Sequence, residues 1–158
     1  MKYIFDANVL IRSSRIDFEK DKDELNDFLN WIFSLIKSGV IMIPERVYDE
    51  ILDGDDLLAE WCKKDVKKYK TDDSVAAPCL PKVLEAYEAE DAKTIEKIQN
   101  DAFIIAHALA GGGTVVTYEK ISQATSAKNK KIPAICEILG IPCITLPIFI
   151  WRLKRHSS

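Results

Sequence analysis

Four acidic residues are candidates for chemistry because each lies next to a short apolar segment of the sequence. Asp6 comes directly after the first apolar segment, Glu50 lies two turns beyond the second, and Glu119 comes two residues after the third. The fourth, Asp101, stands at the start of the apolar stretch that leads to the third segment. If these carboxylates meet, their mutual repulsion requires shared protons or a hard divalent cation near neutral pH. An all-oxygen ligand set, without His or Cys, favours Mg²⁺ or Mn²⁺.

The chemistry available to such a site is phosphodiester hydrolysis. A carboxylate-bound pair of these ions activates a water for in-line attack and neutralises the leaving oxygen, which predicts a nuclease. Asp6 is the strongest candidate, because Phe5 and the apolar run 9–11 surround it and a buried carboxylate is costly unless a cation or a donor meets it. Taken singly, the other three acids are better explained as solvated surface residues, and Asp101 also as a first-turn charge that complements a helix dipole.

Four short apolar segments are typical of strands that are buried on both faces, as in a parallel sheet. The predicted strands are residues 2–5, 40–43, 114–117 and 143–146. Between them, apolar residues recur at helical spacing, and Pro or Gly marks several helix ends. The predicted helices are residues 24–37, 44–52, 55–69, 83–99, 101–110 and 132–139, with a loop over residues 71–81.

Strands that alternate with helices are joined by right-handed crossovers, which predicts an α/β fold. We expect a three-layer α/β/α sandwich with a mainly parallel, twisted sheet of about four or five strands. The chain is predicted to form one domain over residues 1–158, with a mobile C-terminal tail from about residue 153. In such a sheet the binding crevice lies beyond the carboxyl ends of the strands, where the strand order reverses. The four acids are therefore expected to meet over that edge.

Composition excludes several classes of protein. With 158 residues, 47% of them hydrophobic, the chain can bury one core. No apolar stretch reaches the roughly 20 residues that span a bilayer, and the apolar run before Asp6 is too short for a signal peptide, so a cytoplasmic protein with no membrane contact is expected. The 4 cysteines form no C-x-x-C pair and are predicted to be reduced, and a zinc site is disfavoured by a total of 2 histidines.

Charge is distributed unevenly along the chain, although the net charge is only −3. Residues 17–60 contain 13 acidic and 4 basic residues, whereas residues 119–158 contain 2 acidic and 7 basic residues. The basic region is a candidate for binding RNA phosphates, although ordinary solvated faces explain the same pattern. The candidate RNA-binding residues are Lys128, Lys130, Lys131, Arg152, Lys154 and Arg155.

Four segments resemble, in order and in spacing, the successive acidic motifs of PIN-domain ribonucleases. They are YIFDANVLI at residues 3–11, VYDEI at 47–51, DAFIIAHA at 101–108 and TVVTYEK at 114–120. Two further segments, GDDLLAEW at 54–61 and KIPAICEILGIPCITL at 131–146, are similar to one bacterial and archaeal branch, the DUF4411 group of VapC-like PIN proteins. The resemblance covers nearly the whole chain.

This resemblance implies that a quartet of acids binds Mg²⁺ or Mn²⁺ and catalyses RNA cleavage. The quartet is Asp6, Glu50, Asp101 and Glu119. Asn8 matches a position where the family often has a small polar residue, and Thr117 matches a hydroxyl that orients the neighbouring carboxylates. Most PIN proteins have Asp at the fourth position, so the longer Glu119 departs from the pattern and its direct contact with metal stays open. The resemblance also implies the toxin of a type II toxin–antitoxin pair, with an antitoxin partner and a homodimer.

Other functions remain open on the sequence alone. A PIN nuclease that processes RNA without being a toxin shares the motifs, whereas a catalytically weak PIN-like module would bind RNA or protein without cutting. Four retained acids disfavour a pure binder. FDANVL at 5–10 is also similar to haloacid-dehalogenase phosphatases, but their general acid stands where this chain has Asn8, and an amide cannot donate and recover the proton. The glycines at 111–113 precede a strand and lack a following Lys-Ser/Thr, which argues against a P-loop.

Histidine and aromatic residues are interpreted as structural. His107 lies on an apolar helical segment, which favours a packed core histidine over a catalytic base. Trp31, Trp61 and Trp151 are interpreted as core or interface residues rather than as platforms for base stacking. Phe33 and Phe103 are likewise predicted to lie in the core.

Overall fold

The structure is a computed structural model that describes residues 2–14, 18, 20–54, 56–118 and 131–156. Within these residues the chain forms a four-stranded sheet in which every neighbouring pair of strands is parallel. The strands lie in the order β2-β1-β3-β4. Their bounds are β1 Tyr3–Phe5, β2 Ile41–Met42, β3 Thr114–Thr117 and β4 Cys143–Thr145.

The two central strands are buried because helices cover both of their faces. Every residue of β1 and β3 is buried, and Ile4 pairs with Met42 on one side and with Val115 on the other. β2 and β4 are the edge strands of the described sheet, and the residues of β4 are half-buried. The sequence prediction of a parallel sheet from uninterrupted apolar segments is confirmed.

Eight α-helices are present among the described residues. They are α1 Ala7–Arg12, α2 Lys22–Lys37, α3 Glu45–Leu52, α4 Leu57–Trp61, α5 Leu80–Tyr87, α6 Ala92–Gly111, α7 Ile132–Leu139 and α8 Leu146–His156. Local sequence accounts for several of the helix ends. The Asp21 carboxylate accepts a hydrogen bond from the Glu24 backbone at 2.9 Å at the start of α2, and Gly140, at φ 70°, ends α7 in the left-handed conformation.

The helices form two layers, one on each face of the sheet. Tyr3 and Phe5, two residues apart on β1, both place their rings against Phe149 of α8, with centroid distances of 4.9 and 5.0 Å. Phe149 also contacts Trp31 of α2, so α2 and α8 share this face. α6 contacts β1, β3 and α7, and right-handed crossovers place it on the opposite face. The predicted three-layer α/β/α sandwich is confirmed.

The prediction of one helix over residues 83–99 and a second beginning at Asp101 is wrong. α5 ends at Glu88, which adopts the left-handed φ of 60°. A new helix, α6, then begins behind Asp91, whose carboxylate accepts from the Thr94 backbone at 2.8 Å. α6 continues through Asp101 without a break. The polar residues of its first half are exposed or half-buried, whereas Ile98 is buried. Asp101 is therefore a mid-helix residue and no first-turn charge.

Two other boundaries also differ from the prediction. The segment predicted as one helix over 55–69 forms α4, then a wider π-helical turn at Cys62–Val66 and a tighter 3₁₀ turn at Lys67–Tyr69. The predicted loop over 71–81 contains two 3₁₀ turns, at Asp73–Val75 and Ala77–Cys79, and its last residues open α5. α8 continues to residue 156, so residues 153–156, which were predicted to belong to a mobile C-terminal tail, are helical.

The core and the cysteines agree with the sequence analysis. The buried apolar side chains of the described residues belong to one hydrophobic cluster. All four cysteines are free thiols, and burial raises the pKa of Cys62 to about 12. No helix in the described part of the chain has both the length and the apolar character needed to cross a membrane.

Candidate functional site

The strand order defines where a ligand crevice can open. β1 connects to β2 on one side, and the chain then crosses back over β1 to form β3 on the other side. The carboxyl ends of β1 and β3 therefore flank the switch point of the sheet, which is where α/β proteins bind ligands. Asp6 is the first residue after β1, and Thr117 is the last residue of β3.

The Asp6 carboxylate is buried and held between these two strand ends. Its residue is only 2% exposed. Its backbone nitrogen donates to Val116 O at 3.0 Å, Thr117 Oγ1 donates to its Oδ2 at 3.1 Å, and the Asn8 backbone nitrogen lies 3.5 Å from its Oδ1 at the start of α1. Asn8 thus contacts the Asp6 carboxylate with its backbone nitrogen. Asp6 is oriented by groups from both sides of the switch point.

A second set of contacts holds Tyr118, the residue that follows Thr117. Ser13, which is buried at the end of α1, donates from Oγ to Val9 O at 2.7 Å, and its Oγ also lies 3.3 Å from the Tyr118 hydroxyl. The Arg12 guanidinium lies over the Tyr118 ring at 5.4 Å. Sequence reasoning missed Ser13 and Tyr118, because their contact joins residues 105 positions apart.

The length of α6 indicates where Asp101 lies relative to this edge. Asp101 is ten helical steps from Gly111, the last residue of α6 before β3, which is a distance of about 15 Å at 1.5 Å per residue. β3 has 4 residues and spans about 13 Å. Because α6 contacts both β1 and β3, we expect Asp101 at about the height of the carboxyl edge.

Glu50 lies in a groove lined almost entirely by polar side chains. The groove has a volume of about 360 Å³, and its lining residues are Glu45, Arg46, Asp49, Glu50, Asp53, Asp73 and Asn100. Burial raises the pKa of Glu50 above its ordinary value of 4.5, and the Asp53 carboxylate raises it further. Among the described residues Glu50 has no hydrogen-bond or ion-pair partner. It is a half-buried carboxylate that no cation of the described residues pairs with.

We expect Glu50→Gln to stabilise the protein at neutral pH when divalent ions are removed with EDTA. A carboxyl with a raised folded pKa ionises more readily in the unfolded chain, so wild type loses stability as pH rises from about 4.5 through that raised value. The variant lacks this loss, and its melting temperature should exceed that of wild type by about 1–3 °C at pH 7. Melting curves between pH 4 and pH 8 measure the difference. Asp49→Asn, on the exposed neighbouring residue, is the control, and a difference that does not change with pH would refute this explanation.

The described acids do not complete a metal site by themselves. Over residues 2–14, 18, 20–54, 56–118 and 131–156, no three His, Cys, Asp or Glu side chains form a group able to hold a metal ion. The acid that influences the pKa of Glu50 is Asp53, not Asp6 or Asp101. Glu119, the fourth predicted ligand, lies outside the described residues. The convergence of all four acids stays a prediction.

The structure separates the predicted RNA-binding cations. Lys131 is exposed at the start of α7, on the side of the sheet where β3 ends. α8 begins directly after β4, and Lys154 and Arg155 lie in its last turns. There Lys154 lies over the Trp31 ring at 5.5 Å, and Arg155 lies over Trp151 at 4.8 Å. Arg152 is on the same helix, whereas Lys128 and Lys130 lie outside the described residues.

The aromatic residues and His107 follow the sequence interpretation in most cases. Trp31 and Trp61 pack partly buried against the core, but Trp151 is 59% exposed and is no core residue. Phe103 is buried, and Phe33 is partly buried. His107 is buried as expected.

Comparison with known proteins identifies one family. Residues 3–156 match the family described as a domain of unknown function, DUF4411. No curated protein and no solved structure shows significant similarity to the chain.

Proposed function

We propose that this chain, which belongs to the DUF4411 family, is a Mg²⁺- or Mn²⁺-dependent endoribonuclease of the PIN class. The observation that carries the proposal is the Asp6 carboxylate, buried to 2% exposure at the switch point and hydrogen-bonded by Thr117. Burying a carboxylate is costly, and hydrogen bonds such as those from Thr117 and the start of α1 are needed to offset that cost. Its position at the edge where parallel α/β sheets bind ligands favours a functional reason for that cost.

The donor chemistry of the acids fits a hard divalent cation. Mg²⁺ is commonly bound by one or two protein carboxylates together with waters and substrate phosphates, so it does not need three preassembled ligands. Asp6 and Asp101 would hold the ion, with Glu50 and Glu119 completing its surroundings directly or through water. When bound, the ion lowers the pKa of a water and neutralises charge on the leaving oxygen.

The chain's own groups supply orientation and a base. Thr117 Oγ1 fixes one oxygen of Asp6 and leaves the other oxygen to face the N-terminus of α1. Glu50 is half-buried in the groove, where burial and the Asp53 carboxylate raise the pKa of Glu50 in the metal-free protein. We assign Glu50 the role of accepting the proton of the attacking water.

The biological role proposed here is the toxin of a type II toxin–antitoxin pair in the cytoplasm. This part rests on the resemblance to VapC-like PIN proteins, which also suggests an antitoxin protein and a homodimer as partners. An RNA-processing nuclease outside such a pair is the second candidate, because it would use the same acids.

Cleavage of single-stranded RNA by the purified protein tests the proposal. We expect cleavage with Mg²⁺ or Mn²⁺ and none in EDTA, with activity restored when excess metal is added back. RNA binding without cleavage under any metal condition would favour the PIN-like binding module. Cleavage that persists in EDTA would contradict the metal-dependent mechanism.

A further inference from the structure

A chain of three charged or polar side chains connects the core to the groove. His107 Nε2 lies 3.0 Å from Asp73 Oδ1, so the tautomer with a proton on Nε2 donates to this carboxylate. Asp73 Oδ2 forms an ion pair with Arg46 Nε at 3.4 Å. The side chain of His107 is 0% exposed, that of Asp73 is 17% exposed and that of Arg46 is 31% exposed. This series of side chains thus ends with the Arg46 guanidinium at the wall of the groove.

Two residues of α6 hold this guanidinium from the other side. Arg46 Cζ lies 4.1 Å from the centre of the Phe103 ring, which is close for a cation–π contact. Arg46 Nη1 donates to Asn100 Oδ1 at 3.4 Å. Within the described residues, Nη2 has no hydrogen-bond partner. The side chain is therefore fixed in place with donors left over for a ligand.

Arg46 forms no ion pair with Glu50, an acid of its own helix, among the described residues. Glu50 follows it by four positions on α3, the spacing at which oppositely charged side chains commonly pair. Among the described residues, however, the ion pair of Arg46 is with Asp73 alone. Asp73 and Phe103 contact the cation. Arg46 and Glu50 line the same groove of about 360 Å³.

We propose that Arg46 binds a non-bridging phosphate oxygen of the RNA strand in this groove, and that Asp73 and His107 position it. The inference rests on the proposed nuclease function and names a residue that brings substrate to the acids. A phosphodiester carries a negative charge, and the carboxylates of the groove repel it. A fixed guanidinium offsets this repulsion and offers forked donors that match phosphate oxygens.

RNA binding measured without cleavage tests the role of Arg46. A short fluorescein-labelled single-stranded RNA is titrated by fluorescence anisotropy into the otherwise wild-type protein in EDTA, where no cleavage is expected, at several salt concentrations. Arg46→Met should raise the Kd by about 10- to 100-fold, because a charged hydrogen bond is lost. It should also reduce the salt slope by about 0.7, the value for one phosphate contact with a single strand.

Lys37→Met is the matched control, because Lys37 is an exposed cation over an aromatic ring, Phe33 at 5.6 Å, at the far end of α2. It should leave the Kd unchanged. Should Arg46→Met fail to fold, Arg46→Lys keeps the charge but loses the fork, and we expect it to bind several-fold more weakly than the parent. If the foldable Arg46 variants match Lys37→Met in Kd and in salt slope, the inference is wrong.

A double-mutant cycle tests the positioning role of Asp73. Asp73→Asn should weaken RNA binding when Arg46 is present, because Asp73 acts through Arg46. In Arg46→Met the same change should not weaken binding, since the charge of Asp73 by itself repels the phosphate. Additive losses would overturn the positioning role. The nuclease proposal fails separately: RNA binding that depends on Arg46 without any metal-dependent cleavage by wild type would retain the phosphate contact and reject the catalysis. Metal-dependent cleavage that does not change in the Arg46 variants would retain the catalysis and reject the phosphate contact.

Discussion

Asp6→Asn is expected to lower metal-dependent RNA cleavage by about 100-fold or more while leaving the fold intact. The change removes the negative charge that would attract the divalent ion, and transition-state charge stabilisation of this kind has effects of about 10²–10³-fold in rate. The fold is retained because asparagine has nearly the same shape, and its carbonyl oxygen can still accept from Thr117 Oγ1. Initial rates with Mn²⁺, together with melting temperatures, measure both parts.

A matched control separates this loss from a general effect of charge removal. Asp27 is exposed on α2, and Asp27→Asn should cleave RNA at the wild-type rate. Asp101→Asn is expected to match the Asp6 variant, and Glu119→Gln to lose less, because a longer ligand acting through water contributes less. If the Asp6 variant cleaved RNA as fast as Asp27→Asn, Asp6 would have no role in the reaction.

The second large effect is expected for Thr117→Val, which keeps the side-chain shape but deletes the donor to Asp6 Oδ2. Both residues are buried, so water cannot replace the hydroxyl, and the lost hydrogen bond should cost about 1–3 kcal/mol of stability. Because Thr117 orients a proposed metal ligand, cleavage should also fall by about 10- to 100-fold. Urea denaturation and cleavage rates on the same preparations measure the two losses.

Thr117→Ser provides the discriminating comparison. Serine keeps the hydroxyl and loses only a methyl group, so it should recover most of the cleavage even if packing makes the protein less stable. Equal cleavage by the valine and serine variants would show that the hydroxyl does not orient Asp6 for catalysis.

The parallel sheet could be predicted because its strands carry a signal within their own sequence. Two of these segments are apolar without polar alternation, which only two-sided burial explains. They are Val115 and Val116, between two threonines, and Ile4 and Phe5, before Asp6. α7 was predicted with its observed ends because Pro133 and Gly140 mark them. The start of α6 was missed because its first half faces solvent and lacks apolar periodicity, so only the cap at Asp91 marked it.

The contacts of the site could be predicted only in part. Asp6 and Thr117 follow from the rule that parallel strands end at one edge, which places residues 111 positions apart within hydrogen-bond distance. The cluster of Arg46, Asp73 and His107 could not be predicted, because it joins three segments whose local patterns say nothing about one another. Asp73 lay in a predicted loop, and His107 matched an ordinary core position. Long-range side-chain pairing of this kind depends on how the helices pack.

Titration of Mn²⁺ into the RNA-free protein, followed by the electron paramagnetic resonance signal of the free ion, tests most directly whether the acids at the switch point form a metal site. Neither substrate identity nor turnover enters this measurement. We predict that wild type and Asp27→Asn remove free Mn²⁺ from solution in saturable fashion, whereas Asp6→Asn binds it far more weakly. Equal Mn²⁺ binding by all three proteins, or none by wild type, would contradict the account.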